Sequence, residues 1–258
     1  MKVALFVTCL VDQIMPEVGV ATVKVLRRAG YEVDFPQAQT CCGQPFFNSG
    51  FHDEAARLAK RTIEILEPYE AIVLPSGSCA AMIRVEYPHL LEHEPEWHER
   101  AKRVGEKTFE LSEFLTRFSD SADHRNLAPE HLTLKHLITY HDSCHMCRLT
   151  GLRSEPREAL TRAGCEIAEM SESDRCCGFG GLFSVRMPEV SRAMTEDKLR
   201  RAAETGAEML VTADPGCLMQ MQRVNELASQ QIANQQLPIT NYQLPIKHLA
   251  VLLEELTR

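Results

Sequence analysis

Hydrophobic and polar positions along the first half of the chain alternate between strand and helix periods. Residues 3–8 form a continuous apolar run that ends at Cys9, a pattern typical of a strand buried on both faces. The elements predicted after it are a helix over 18–29 that Gly30 caps, a strand over 31–35, a helix that Asp53 caps and that runs to about Leu66, and a strand over 71–74. This order of elements predicts a parallel sheet with crossover helices.

The second half of the chain repeats the same order. Its predicted elements are a strand over 137–141, a helix over 154–163 that Gly164 caps, a strand over 165–169, a helix from Pro188 to Gly206 and a strand over 208–212. The stretches that close the two halves, residues 109–115 and 246–252, are also similar. The sequence therefore predicts an α/β fold of two duplicated Rossmann-like lobes, each a mainly parallel sheet with helices on both faces.

The predicted boundary between the lobes lies in a polar stretch. Residues 119–130 are rich in serine, aspartate and other polar side chains and contain no apolar run of strand or helix length. We therefore assign residues 1–122 to the first lobe and residues 131–258 to the second.

The cysteines follow the same duplication. The triplet CysCysGly occurs at residues 41–43 and again at 176–178, 135 positions later (176 − 41). Adjacent cysteines followed by glycine suit a metal site, because glycine tolerates the positive φ of a sharp bend that lets both thiols face one ligand. A single cysteine precedes each triplet and another follows it. The eight cysteines of the repeated pattern are Cys9, Cys41, Cys42 and Cys79, then Cys144, Cys176, Cys177 and Cys217.

In each half these cysteines come directly after predicted strands. The loops beyond the carboxyl ends of parallel strands form the ligand crevice of an open α/β sheet, so thiols far apart in sequence should converge at one edge. Cys79 and Cys217 also begin predicted helices, where the positive end of the helix dipole favours a thiolate.

Four convergent thiolates suit either zinc or an iron–sulfur cluster. Structural zinc sites are usually built from short CxxC knuckles, whereas long gaps surround the adjacent pair here, so the spacing favours an iron–sulfur cluster in one or both halves. Two alternatives are buried structural thiols and disulfides. Structural thiols would be scattered along apolar faces and not repeated at loop positions, and disulfides are uncommon in a chain without a secretory signal.

Composition and charge narrow the functional classes. The 258 residues carry 28 basic and 36 acidic side chains, a formal net charge of −8, which argues against nucleic acid or an anionic membrane as the main partner. The apolar N-terminus is interrupted by Asp12 and includes Cys9 of the repeat, so we do not interpret it as a signal peptide. No stretch approaches 18 uninterrupted apolar residues, and we expect a cytoplasmic protein without a membrane span.

Four further stretches carry a family resemblance. The pattern of Cys, CysCysGly and Cys is similar to the cysteine-rich "CCG" domain found in heterodisulfide reductase and in the iron–sulfur subunits of glycolate and glycerol-3-phosphate oxidising systems. Within that family the chain most resembles the lactate-utilisation protein A group. The stretches are ProSerGlySerCysAlaAlaMet (75–82), TyrHisAspSerCysHis (140–145), CysCysGlyPheGlyGlyLeuPheSer (176–184) and AspProGlyCysLeuMet (214–219).

The resemblance implies a subunit of a cytoplasmic complex that oxidises L-lactate to pyruvate, together with two other lactate-utilisation proteins, one of them an iron–sulfur protein. In such a complex this chain would pass electrons through an iron–sulfur cluster of the 4Fe-4S type and would not bind the substrate. The likeness to heterodisulfide reductase allows a second function, the reduction of a disulfide. A third is a metal-stabilised interaction module without a redox role.

The sequence departs from the fuller family pattern at one position in each half. Family members that bind a noncubane cluster end the motif in CysxxCys and use five thiols, whereas here the last position is Met82 in the first half and Gln220 in the second. Both are weak iron ligands. The departure argues against a noncubane cluster in both halves and leaves two alternatives, an ordinary four-iron cluster or a labile site.

Two cysteines lie outside the repeat. Cys144 and Cys147 form a CxxC close to His141 and His145, which is compatible with a second small metal site or a redox pair. Alternatively, Cys147 is a packed thiol and the two histidines hydrogen-bond the loop. Cys165 begins a predicted strand, where we expect it to be part of the core.

Overall fold

The computed structural model describes residues 1–118, 136–233 and 244–257, which form two similar lobes. Each lobe contains one four-stranded sheet in which every pair of neighbouring strands is parallel. Helices pack around both sheets. The predicted α/β class with two Rossmann-like lobes is therefore confirmed. The predicted boundary at residues 119–130 lies outside the described residues.

The first lobe follows the predicted order of elements. Its strands are β1 (Lys2–Leu5), β2 (Glu32–Asp34), β3 (Ile72–Leu74) and β4 (Thr108–Glu110), in the spatial order β2-β1-β3-β4. Its helices are α1 (Cys9–Ile14), α2 (Pro16–Arg28), α3 (Gln44–Asn48), α4 (His52–Leu66), α5 (Gly77–Ala81), α6 (Tyr87–Leu90), α7 (Pro95–Glu106) and α8 (Leu111–Phe118). A π-helical turn, Met82–Glu86, joins α5 to α6.

The second lobe repeats this topology. Its strands are β5 (His136–His141), β6 (Cys165–Ile167), β7 (Met209–Thr212) and β8 (Ile246–His248), in the order β6-β5-β7-β8. Its helices are α9 (Ser154–Arg162), α10 (Leu182–Arg186), α11 (Pro188–Glu204), α12 (Pro215–Ala233) and α13 (Leu249–Leu256), with a π-helical turn at Met146–Thr150. None of the helices in the described ranges is long and apolar enough to cross a membrane.

Several predicted element ends differ from the structure by one to three residues, and two of these differences have a clear physical reason. β1 ends at Leu5 and not at residue 8, because the Val7 amide donates to the side-chain oxygen of Gln39 (2.8 Å) and not to a neighbouring strand. α4 begins at His52 after Phe51, so Asp53 does not cap it. Asp53 lies in the first turn, where a carboxylate still interacts favourably with the helix dipole.

Side chains on the two faces of the first sheet enter two different cores. Val3 and Leu5 lie in the larger cluster of buried residues, whereas Ala4 and Phe6 lie in the smaller one. The smaller cluster belongs to the first lobe alone. The larger one also contains residues of the second lobe, such as Tyr140, so a continuous apolar core joins the lobes. This burial is the main stabilising contribution at the junction.

The helices at this junction are paired by an approximate twofold relation. α2 of the first lobe packs on α13 of the second, and α9 of the second lobe packs on α8 of the first. At the first of these contacts, the Arg28 guanidinium lies 3.1 Å from the carboxylate of Glu254 and also donates to the Glu254 carbonyl (2.9 Å). Lys24 reaches the same carboxylate at 3.4 Å. The Glu254 carboxylate is nearly buried, with a side-chain exposure of 5%.

Replacing Arg28 with alanine should lower the free energy of unfolding by about 1–3 kcal/mol, because a nearly buried carboxylate loses its best-placed donor. Urea unfolding of the full chain measures the change. Arg57→Ala is the matched control, because Arg57 pairs with Glu54 at the exposed surface of α4 and such pairs contribute little. Equal effects of the two substitutions would contradict a stabilising role for the ion pair between the lobes.

Candidate metal centres at the two cysteine clusters

The four cysteines of the first lobe converge, although up to 70 positions separate them in sequence (79 − 9). The Sγ atoms of Cys9 and Cys41 are 3.5 Å apart, and those of Cys42 and Cys79 are 3.2 Å apart. Cys41 and Cys42 also interact through their thiols. Cys42 and Cys79 are buried, whereas Cys9 and Cys41 are half-buried. The cluster therefore has an inner pair of thiols and an outer pair near the surface.

The second lobe repeats this arrangement. The Sγ atoms of Cys177 and Cys217 are 3.0 Å apart and buried. Cys144 and Cys176 are half-buried and interact with each other through their thiols. All eight cysteines of the predicted pattern thus lie in two clusters of four. Each of the ten cysteines of the chain is a free thiol, and the disulfide alternative has no counterpart in the structure.

The glycine after each cysteine pair has the backbone conformation that the sequence predicts. Gly43 and Gly178 both have φ of +90°, a value that favours glycine. In each lobe this turn directs the glycine amide to the sulfur of the first cysteine of the pair, Cys41 or Cys176, at 3.4 Å. The bend therefore places adjacent thiols in one cluster and supplies a backbone donor to one of them.

The thiols within each cluster differ in pKa. The pKa of Cys41 is lowered, because the thiols of Cys42 and Cys9 and the Gly43 amide donate to its sulfur. The pKa of Cys176 is lowered in the same way by Cys144, Cys177 and the Gly178 amide. The proton-donating neighbour Cys9 has a raised pKa, because of its hydrogen bond to Cys41 and its burial. Each cluster thus favours one thiolate surrounded by thiols, which is a donor set that a metal cation would complete.

Helix N-termini place the last cysteine of each cluster. Cys79 and Cys217 are both the third residue of a helix, α5 and α12 respectively. The Ser76 hydroxyl accepts the Cys79 amide at 3.3 Å, and a carboxylate oxygen of Asp214 accepts the Cys217 amide at 3.4 Å. The predicted positions at helix starts are therefore observed.

These two helix N-termini contact each other across the lobes. The Ser78 amide donates to Asp214 at 2.7 Å, and the Gly77 amide donates to the carbonyl of Ala213 at 3.2 Å. The contact requires glycine at residue 77, because a Cβ there would lie 2.5 Å from the Cβ of Met146. The segments that lead into Cys79 and Cys217 are thus hydrogen-bonded to each other across the lobes.

The residues at the fifth position of the family motif have other roles in this chain. Met82 is fully buried in the smaller core cluster. The Gln220 amide donates to the hydroxyls of Ser191 and Thr195, each at 3.0 Å. Thr195 in turn donates to the Cys177 carbonyl at 2.7 Å. Gln220 therefore supports the turn after the cysteine pair.

The first lobe supports its own cysteine pair with a different side chain. The Tyr87 hydroxyl donates to the Cys42 carbonyl at 2.7 Å, the contact that corresponds to that of Thr195 in the second lobe. The sequence patterns did not indicate Tyr87, Thr195 or Ser191. No spacing signal distinguishes them from ordinary helix residues, because the cysteines they contact are distant in sequence.

The two cysteines and two histidines that the sequence singled out outside the repeat differ in what they contact. The Cys147 thiol donates to the backbone carbonyl of Cys144 at 3.7 Å, and Cys165 is buried in the larger core, so these two are packed thiols. A ring nitrogen of His145 lies 3.7 Å from the sulfur of Cys144. His141 differs from all of these, because one of its ring nitrogens lies within 4.8 Å of the sulfurs of Cys177 and Cys217.

Comparison with known proteins identifies the family. The model of the cysteine-rich domain (CCG) matches residues 3–84 and 138–222, which are the two cysteine-bearing halves. Lactate utilization protein A of Bacillus subtilis is 47% identical over 220 residues, which cover 85% of this chain and 90% of that protein. The chain belongs to the lactate utilization protein A family of cysteine-rich domain proteins.

Other members of the family are similarly close. Lactate utilization protein A of Halalkalibacterium halodurans is 47% identical over 85% of this chain and 87% of that protein, and that of Bacillus pumilus is 44% identical over 88% and 93%. Among solved structures, a putative Asp/Glu racemase from Yersinia pestis covers 100% of this chain and 98% of its own, with 11% identity and a TM-score of 0.38. That score is too low to support a conclusion.

The observed clusters fit a metal centre. Each offers four sulfurs, a thiolate stabilised by a backbone amide and partial exclusion of water, and these are properties of thiolate-ligated metal sites. The family membership and the ten cysteines agree in suggesting metal binding. If the eight thiols were only packed structural residues, nothing would require them to meet in two groups of four at equivalent strand ends.

Replacing Gly178 with alanine should destabilise the second cluster. A Cβ at this position would lie 2.4 Å from the Ser191 carbonyl oxygen, in a backbone conformation with φ of +90°. Strain and overpacking together should lower the free energy of unfolding by about 3 kcal/mol. The measurement is urea unfolding of the full chain.

Gly151→Ala is the control for this substitution. Gly151 has φ of +75°, and nothing lies within 4 Å of the Cβ that alanine would add, so only conformational strain of about 1 kcal/mol is expected. If the Gly178→Ala protein were as stable as the Gly151→Ala protein, the close packing against Ser191 would be unimportant.

Proposed function

We propose that this protein is an iron–sulfur electron-transfer subunit of a cytoplasmic complex that oxidises L-lactate to pyruvate. Its proposed partners are the other lactate-utilisation subunits, including a further iron–sulfur protein. The observation that carries the proposal is the convergence of two equivalent sets of four thiols at the carboxyl ends of the strands in two similar lobes. The names of the relatives, lactate utilization protein A, support the assignment of the pathway.

The eight cysteines of the repeat are the proposed ligands, four to each site. An iron–sulfur cluster of the 4Fe-4S type would supply one-electron redox chemistry, at a potential set by burial and by hydrogen bonds to sulfur. The amides of Gly43 and Gly178 already donate to sulfur and would stabilise the negative charge of the thiolates. The buried inner cysteines of each site exclude water from one side.

The outer cysteines provide the route to a partner. Cys9 and Cys41 in the first lobe, like Cys144 and Cys176 in the second, are only half-buried. An electron donor or acceptor at the surface can therefore approach each site from this side. Between the lobes, the hydrogen bond from the Ser78 amide to Asp214 joins the peptide segments that carry Cys79 and Cys217. Both features suit a protein that receives and passes on electrons.

The cavities beside the first cysteine cluster do not suit lactate. One, of about 110 Å³, lies between the lobes and is lined by Cys42, Cys79, Phe179 and neighbouring residues, none of them lysine or arginine. The other, of about 330 Å³, is lined by Cys9, Cys41 and Asp12 and likewise contains no lysine or arginine. A lactate carboxylate would need a cationic or similarly strong donor. The proposal therefore assigns substrate binding to another subunit.

Anaerobic reconstitution with iron and sulfide should give reducible clusters in the full chain. Cys42→Ser should deplete the iron of the first lobe and Cys177→Ser that of the second, because each removes a buried thiolate ligand. Iron and sulfide assays and electron paramagnetic resonance (EPR) before and after dithionite are the measurements. Cys165→Ala is the control, because Cys165 is a buried thiol in the core away from the repeat and should leave the iron content unchanged.

Two outcomes would contradict the proposal. Zinc in place of iron, with no reducible signal, would favour the interaction module without a redox role. Unchanged iron per chain in Cys177→Ser would show that the second lobe holds no cluster. In cells, deletion of the gene should abolish growth on L-lactate, and the Cys42→Ser and Cys177→Ser genes should each fail to restore it.

A further inference from the structure

His141 has an environment that no ordinary structural role explains. Its side chain is fully buried, and neither ring nitrogen makes a hydrogen bond of normal geometry among the described residues, although the Ser173 backbone lies close to the ring. Burying an imidazole without partners costs free energy, because both nitrogens lose their hydrogen bonds to water. A buried polar group of this kind is retained where something else satisfies it.

The ring lies beside the inner sulfurs of the second cluster. One His141 nitrogen and the sulfurs of Cys177 and Cys217 all lie within 4.8 Å of one another. A metal ion bonded to nitrogen at about 2.1 Å and to sulfur at about 2.3 Å keeps those two donors at most about 4.4 Å apart. A shift of a few tenths of an ångström therefore allows the ring to share a metal with either cysteine.

The end of strand β5, which carries His141, is held firmly. The neighbouring Asp142 carboxylate receives two hydrogen bonds from the Arg157 guanidinium, both 2.9 Å, and one from the Ser173 hydroxyl at 2.7 Å. The buried Lys198 ammonium donates to the carbonyls of Glu172 and Ser173, at 2.8 and 3.1 Å. The backbone on either side of the ring is therefore fixed in place.

The two lobes differ at this point. The repeat that relates Cys9 to Cys144 relates Phe6 to His141, since both pairs are 135 positions apart (144 − 9 and 141 − 6). Phe6 is fully buried in the smaller core cluster and offers no donor atom. At the fifth position of the motif, Gln220 already donates to Ser191 and Thr195. The second lobe thus places an unsatisfied nitrogen beside its thiols, whereas the first lobe places an apolar ring.

We propose that His141 is a fifth, nitrogen ligand of the metal centre held by the cysteines of the second lobe, and that the first lobe has no counterpart. This inference rests on the proposed function, because it requires iron in the second lobe. Because the imidazole is added to four thiolates and replaces none of them, the two lobes hold centres of different ligation.

The test uses the full chain carrying Cys42→Ser, which leaves the second lobe as the only site of the pattern with all four thiols. After anaerobic reconstitution and reduction, pulsed EPR measures the coupling of ligand nitrogen to the electron spin. We expect a strongly coupled nitrogen that changes isotope pattern when the protein is grown with ¹⁵N-histidine. This measurement on the unaltered second lobe does not depend on how a substitution at His141 affects folding.

Two substitutions then assign the nitrogen. His141→Phe introduces the residue of the first lobe and should remove the coupling, with iron retained by the four cysteines. His145→Phe is the matched control, because His145 follows the end of β5 and lies beside Cys144, and its replacement should leave the coupling unchanged.

Three results would overturn the inference. They are iron in the second lobe without coupled histidine nitrogen, coupling that persists in His141→Phe, and coupling that disappears in His145→Phe instead. Each of these leaves the proposed electron-transfer function intact. A protein with the native cysteines that takes up no iron would overturn the proposed function and this inference together, so the two failures are distinguishable.

Discussion

The sharp backbone turn at the glycine after each cysteine pair is the constraint on which both sites depend. Two adjacent side chains on a regular strand point to opposite faces, so they cannot enter one cluster without such a turn. Gly43 and Gly178 make it with the same φ of +90°, and each also directs its amide to a sulfur. The parallel topology then adds one cysteine from before the turn and one from after it, because all the strands end at the same edge.

The two lobes share one fold and one cysteine pattern through duplication. The side chains around their cysteine clusters differ. The contact to the carbonyl of the second cysteine of each pair is made by Tyr87 in one lobe and by Thr195 in the other. Phe6 in one lobe corresponds to His141 in the other. The cysteines fix the kind of chemistry that each site supports, whereas these neighbours set its polarity.

The junction between the lobes serves both stability and function. A continuous apolar core and the ion pair between Arg28 and Glu254 hold the lobes together on one side. On the side of the cysteines, Gly77 and Ser78 hydrogen-bond to Ala213 and Asp214. Because these residues adjoin Cys79 and Cys217, the contacts that stabilise the junction also fix the separation of the two candidate metal centres.

The sequence alone determined the fold class, the duplication and the eight cysteines, because these depend on local periodicity, glycine turns and regular spacing. Its errors were local: the strand from residue 3 ended early where Gln39 took the Val7 amide, and Asp53 did not cap α4. Only the tertiary structure decided which side chains surround the sulfurs, such as Tyr87, Thr195 and the buried ring of His141. These contacts join residues far apart in the chain, and their geometry follows from how helices pack on the sheets, which no local pattern specifies.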